Sequence, residues 1–94
     1  MYDFLKDLEV IIEERKQNLP ADSYTTKIFK EGLNRILQKV GEEAVELVIA
    51  GKNQDTVEIK NECADLIFHL LIFLHSQNLN LTDIVAVLEK RHKK

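Results

Sequence analysis

The sequence predicts an all-α fold, an antiparallel bundle of four to five helices completed by homodimerisation, and three observations carry that expectation. Glycine occurs three times and proline once in 94 residues, too few turn formers for the many reversals of an all-β domain. Apolar residues make up 45% of the chain and recur at spacings of three and four, the period of a helix with one buried face. The most apolar segment, Cys63 to Leu74, carries hydrophobic side chains round its whole circumference, which a helix sustains only when it is covered on every side. A single domain spanning residues 1–94 is too small to wrap one helix completely. A second copy is the simplest cover.

The first helix is expected from about Asp3 to Gln17, with Phe4, Leu5, Leu8, Ile11 and Ile12 on one side. Leu19-Pro20-Ala21 ends it, because proline breaks a helix and restricts the residue before it. Asp22 or Ser23 can cap a short second helix reaching about Lys30, with Gly32 at its end. The third runs from Leu33 to Ala50 on Leu33, Ile36, Leu37, Val40, Ala44, Leu47 and Val48, and Gly51 to Gln54 is the break. Asp55 with Glu58 three residues on resembles a capping box and opens a long helix to about Ser76. After a turn, Thr82 is expected to cap a last helix carrying Ile84, Val85, Val87 and Leu88.

Composition excludes several classes of function. A formal net charge of −3, from 13 basic and 16 acidic residues, gives no basic face for nucleic acid. The basic cluster Lys90 to Lys94 falls at a helix end, where cations complement the dipole. Cys63 is the one cysteine, so neither an intrachain disulfide nor a cysteine metal site is available. The acidic, amphipathic N-terminus does not resemble a secretion signal. The apolar run Leu66 to Leu74 is broken by His69 and falls short of the roughly 20 residues of a membrane span. A soluble, cytoplasmic protein is expected.

The informative residues are acids that interrupt the apolar pattern. At helical spacing Glu58, Glu62, Asp65 and His69 fall within an arc of roughly 60°. Arg35, Lys39, Glu42, Glu43 and Glu46 of the preceding helix fall within roughly 100°, beside its apolar face. A short break makes the two helices antiparallel neighbours, so the polar arcs can face each other. Most such acids are solvated surface, and Lys39 can simply pair with Glu43. Asp65 is harder to dismiss: it sits among Ala64, Leu66 and Ile67, and a carboxylate buried there needs a partner or a metal. Four converging carboxylates, Glu43, Glu46, Glu62 and Asp65, describe a hard-cation site, suited to Mg²⁺ with phosphate oxygens as further ligands. Zinc is disfavoured without a His/Cys cluster. His69 reads as a packing or supporting residue, and no nucleophile–base pair or phosphate-cradling glycine loop stands out.

Glu42-Glu43-Ala44-Val45-Glu46 followed by Glu62-Cys63-Ala64-Asp65 resembles the E-E-x-x-E … E-x-x-D signature of the all-α nucleotide pyrophosphohydrolases, the MazG-like superfamily. The wider string is more specific. Ser23-Tyr24-Thr25, Gly32, Arg35-Ile36, Lys39-Val40-Gly41-Glu42-Glu43-Ala44, Glu46, Ala64-Asp65-Leu66 and His69-Leu70-Leu71 together resemble the phosphoribosyl-ATP pyrophosphohydrolase family, over about Leu5 to Arg91. The resemblance implies hydrolysis of phosphoribosyl-ATP to phosphoribosyl-AMP and pyrophosphate, the second step of histidine biosynthesis. It also implies a helical dimer with Mg²⁺ on Glu43, Glu46, Glu62 and Asp65, with Glu42 close by. Lys39 and Arg35 are then candidates for phosphate oxygens, and Ser23, Tyr24 and Thr25 for the nucleotide pocket. Many members are fused to a cyclohydrolase; 94 residues leave no room for one, so the stand-alone form is expected. Two alternatives stay open: a pyrophosphohydrolase that clears non-canonical nucleoside triphosphates, and a non-catalytic helical dimerisation module.

Overall fold

The computed structural model describes residues 3–93, so Met1, Tyr2 and the last lysine of the basic cluster, Lys94, lie outside it. Five helices follow in order: α1 (Asp3–Asn18), α2 (Tyr24–Glu31), α3 (Leu33–Lys52), α4 (Thr56–Ser76) and α5 (Leu81–Arg91). The all-α expectation holds. The longest helices, α3 and α4, form an antiparallel pair with the most extensive contact in the molecule, and α1 and α2 pack across it.

The core lies toward one end of that pair. Ile12 of α1, Ile28 of α2, Ile36 of α3, and Leu71, Ile72 and Leu74 of α4 form its buried centre. Leu5, Leu8, Phe29, Phe68, Phe73, Leu81 and Ile84 pack round them. Each fully buried aliphatic side chain contributes about 1.5–3 kcal/mol of transfer free energy. Burial therefore concentrates where α4 ends and α3 begins. The opposite stretch of the pair, which carries the acids, is held mainly by the two helices themselves.

The helix ends follow capping chemistry. Ser23 caps α2, its Oγ accepting from the Thr26 N–H at 3.2 Å, and Asp55 caps α4 by accepting from the Glu58 N–H at 3.1 Å. Gly32 closes α2 and opens α3 at φ 95°, ψ −179°, a conformation almost confined to glycine. Two boundaries differ from the sequence expectation. Helix α3 continues through Gly51 and Lys52, because its last carbonyls find the N–H groups of Asn53, Gln54 and Asp55. And α5 is capped by Asn80, not Thr82: Asn80 and Asp83 exchange side-chain-to-backbone hydrogen bonds in a reciprocal capping box. Both residues can cap, but only Asn80 has an acid three positions on to complete the box.

Within one chain α4 is not covered on every side. Its Ile67 and Leu70 stand open, as do Val45, Val48 and Ile49 of α3. Helix α5 does not continue along the pair but leaves α4 at 102°. The resulting shape is open, with a radius of gyration of 14.5 Å against about 12 Å for a compact domain of this length. No single helix among the described residues is long and apolar enough to cross a membrane.

Candidate active site

Between the open stretches of α3 and α4 lies a cleft of about 730 Å³. Lys39, Glu42, Glu43 and Glu46 line it from α3, and Glu62 and Asp65 from α4. The antiparallel pairing brings the two polar arcs face to face. One carboxylate oxygen each from Glu43, Glu62 and Asp65 falls within 4.8 Å of the others. An octahedral ion with bonds of 2.0–2.1 Å sets opposite ligands about 4.2 Å apart, so small side-chain rotations suffice to close these three on one. The donors are all hard oxygens, with no thiol or imidazole among the three, and they fit Mg²⁺. Glu46 lines the same cleft but lies outside this closest trio.

The electrostatics report the crowding. Partial burial, and then the neighbouring Glu43, Asp65 and Glu46 carboxylates, hold the Glu62 carboxyl above the usual carboxylate range. Glu62 is half-buried and Asp65 is exposed, so the burial expected for Asp65 is not found within the single chain. The side chains flanking it, Ala64 and Ile67, are exposed as well. What marks this site is like charge converging on a partly buried Glu62, and not burial of Asp65.

Lys39 supplies the local counter-charge. Its Nζ lies 3.3 Å from Glu43 Oε1 and 3.4 Å from Glu42 Oε2. Burial works against the ammonium, but the Glu43 carboxylate, with Tyr24 and Glu42, outweighs it and holds its pKa above the usual lysine value. Arg35 continues the chain of charge, with Nε 3.2 Å from Glu31 Oε2 and Nη1 3.9 Å from Glu42 Oε1. Gln38 donates to Glu42 Oε1 at 2.9 Å. Glu42 is thus occupied by three α3 side chains and leaves Glu43 to face α4.

The run Ser23-Tyr24-Thr25 divides. Ser23 Oγ accepts from the Thr26 N–H and from Arg15 Nη1 at 3.1 Å, fixing α2 to α1, and Thr25 is buried. Tyr24 alone turns toward the acids. Its hydroxyl lies 2.7 Å from Nε2 of His69, and His69 Nδ1 lies 2.7 Å from the Asp65 carbonyl oxygen. A carbonyl only accepts, so Nδ1 carries the hydrogen, and in the neutral ring Nε2 accepts from the tyrosine. Burial raises the Tyr24 pKa, and the phenol feels Lys39, Arg35 and Glu43. The Tyr24–His69 pair is a feature the sequence did not display, since 45 residues separate the partners.

The profile of the phosphoribosyl-ATP pyrophosphohydrolase family matches residues 5–92. The chain belongs to that family. The phosphoribosyl-ATP pyrophosphatase of Leptospira biflexa is 48% identical over 90 residues, covering 96% of this chain and 98% of that protein. The histidine biosynthesis bifunctional protein HisIE of Bacillus subtilis is 50% identical over 91 residues, or 97% of this chain and 44% of its own length. The HisIE protein of Buchnera aphidicola is 49% identical over 92 residues, or 98% and 43%. The chain thus spans less than half of the bifunctional relatives it matches and nearly all of the Leptospira protein. This phosphoribosyl-ATP pyrophosphohydrolase family member carries its acids on two facing helices, along one open cleft.

Proposed function

We propose that this chain hydrolyses phosphoribosyl-ATP between its α and β phosphates, giving phosphoribosyl-AMP and pyrophosphate, the second step of histidine biosynthesis. The observation that carries the reading is the convergence of Glu43, Glu62 and Asp65 within 4.8 Å, on the rim of a cleft that also holds Lys39. Glu43, Glu46, Glu62 and Asp65 are assigned to hold Mg²⁺. When bound, the ion would draw charge from the phosphoanhydride and make water a better nucleophile at neutral pH.

The chain's own groups do the rest. Lys39, released from Glu43, meets non-bridging phosphate oxygens, and Arg35 one turn earlier extends the positive edge along the polyphosphate. Glu42 keeps both cations oriented, while Ser23 and Thr25 fix the start of α2 and so the place of Tyr24. The open apolar faces of α3 and α4 support a homodimer that covers Val45, Val48, Ile67 and Leu70; single exposed apolar residues are ordinary, but a contiguous set marks an interface. A cytoplasmic location fits a biosynthetic role.

The test is pyrophosphate release from phosphoribosyl-ATP with Mg²⁺, with chelator, and with a panel of nucleoside triphosphates including non-canonical ones. Release confined to phosphoribosyl-ATP and abolished by chelator is expected. Faster hydrolysis of a non-canonical triphosphate would replace this substrate, and activity undiminished in chelator would remove the metal.

A further inference from the structure

Tyrosines ordinarily bury the ring and leave the hydroxyl to water. Tyr24 does the reverse. The residue is 48% exposed, yet its hydroxyl is tied inward to His69, which is buried. With the polar tip engaged on a buried partner, much of the open surface has to be ring. The ring is braced on its inner side: it meets His69 edge-on at 5.7 Å and 88°, and lies tilted by 33° against Phe68 at 6.3 Å. Phe68 in turn meets His69 at 5.4 Å. His69 itself has no freedom to turn, because its other nitrogen is spent on the Asp65 carbonyl. An apolar aromatic face is therefore held rigidly open beside Lys39, Arg35 and Glu43.

We propose that His69 is a positioning residue that fixes the Tyr24 ring at the edge of the acidic cleft, where the ring stacks on the purine of the substrate. The inference rests on the nucleotide reading of the cleft and adds to it the group that binds the end of the substrate away from the reacting phosphates. Aromatic faces take bases well, since every base presents a π-face. A ring held by a hydrogen bond, one edge-on contact and one tilted contact loses little freedom on binding, which is where a preformed platform gains over a mobile one. Because a stack on the purine is made equally before and during the reaction, its loss should fall on KM and leave kcat nearly unchanged.

Two measurements test this together. In steady-state pyrophosphate release, Tyr24→Ala is expected to raise KM about tenfold or more, in the range of a lost base–aromatic stack. Tyr24→Phe and His69→Ala, which each break the tether, are expected to raise KM about two- to tenfold. The double variant Tyr24→Phe/His69→Ala should be no worse than the poorer single one, because both remove the same link. His69→Gln, which can still offer a polar atom to the hydroxyl, should recover part of the loss, a result that a merely structural histidine does not predict.

The second readout needs no turnover. The chain has two tyrosines and no tryptophan, so ring-labelled tyrosine gives two sets of NMR signals, and Tyr24→Phe assigns them. Titration with AMP should shift the Tyr24 ring signals upfield, while ribose 5-phosphate should not, and the shift should weaken in His69→Ala. A fall in kcat at constant KM, or Tyr24 signals indifferent to AMP in the folded wild type, would overturn the proposal. Pyrophosphate release without an AMP shift removes this inference alone. An AMP shift without pyrophosphate release removes the proposed reaction and leaves the platform standing.

Discussion

His75 Nε2 lies 3.0 Å from Glu9 Oε1, and the same carboxylate oxygen accepts the backbone N–H of Leu81 at 2.8 Å. One side chain of α1 therefore ties down both the end of α4 and the start of α5, a helix with few other attachments. His75 Nδ1 faces Glu13 Oε1 at 2.8 Å, and Lys16 donates to the His75 carbonyl oxygen at 2.9 Å. Glu9→Ala leaves a buried imidazole nitrogen and a backbone donor unpartnered, and should destabilise the fold by about 2 kcal/mol. Urea denaturation measures the loss, and amide exchange should show α5 opening first.

Glu13 makes part of that stability depend on acid. The hydrogen bond from His75, and then that from Gln17, hold its carboxyl below the ordinary 4.5. A carboxyl whose folded pKa is depressed stabilises above its unfolded pKa, and that contribution disappears as pH falls through the folded value. Glu13→Gln should therefore melt a few degrees below wild type at pH 7, on the order of 2–5 °C for a modest, partly exposed interaction. The two melting curves should converge in acid. A gap that widens below pH 4 contradicts this assignment.

Glu62 has the opposite sign. Its carboxyl is held up by partial burial and by Glu43, Asp65 and Glu46. A raised folded pKa costs nothing below the unfolded value and costs most once pH exceeds the folded one. Glu62→Gln should thus stabilise the metal-free protein at neutral pH, with the gain vanishing near pH 4, while abolishing turnover. Mg²⁺ at a hundredfold excess over Kd should raise the wild-type Tm by about 10–20 °C. That rise should shrink in both Glu62→Gln and Asp65→Asn. Full activity in Asp65→Asn would end the metal-site reading.

Lys39 is placed between two jobs. If its contacts with Glu42 and Glu43 were all it contributes, Lys39→Met would cost about 1 kcal/mol of stability or less. If it serves bound phosphate, the same change should lower kcat/KM about 10- to 100-fold, the range of a hydrogen bond to a charged group. Comparing the kinetic loss with the melting shift decides between them.

Leu70 and Leu71 are adjacent, yet they lie on opposite sides of the surface. Leu71 is 1% exposed, inside the core, and Leu70 is 39% exposed on the uncovered face. Leu71→Lys buries an unpaired charge and should unfold the chain. Leu70→Lys should leave the helices intact and shift sedimentation from dimer to monomer. A monomeric wild type at micromolar concentration refutes the homodimer.

Much of the architecture was legible because helices announce themselves by period and caps. Ser23, Asp55 and the proline after Leu19 set boundaries by local chemistry alone, and the two acidic arcs followed from 100° per residue. Distant relationships were not legible. Glu9 and Glu13 show an i,i+4 pair on α1, but nothing local names His75, 62 residues beyond Glu13, as their partner. Tyr24 and His69 are hidden for the same reason. The exposure of Asp65 was not legible because an apolar neighbourhood in sequence is not an apolar neighbourhood in space; Ala64 and Ile67 beside it are exposed within one chain. The reciprocal box at Asn80 is legible in Asp83 three residues on, although Thr82 is also a residue type that caps helices.

Gly32 stands between the helix that carries Tyr24 and the helix that carries Lys39, Glu43 and Glu46. A Cβ added there meets nothing within 4 Å, so only the backbone, at φ 95°, resists one. The angle at which the tyrosine-bearing helix meets the α3 wall of the cleft is therefore set at this joint by backbone dihedrals and not by side-chain packing against Gly32. The distance from tyrosine to acids can thus change apart from their chemistry: a substitution at this joint alters that spacing while every functional side chain stays the same.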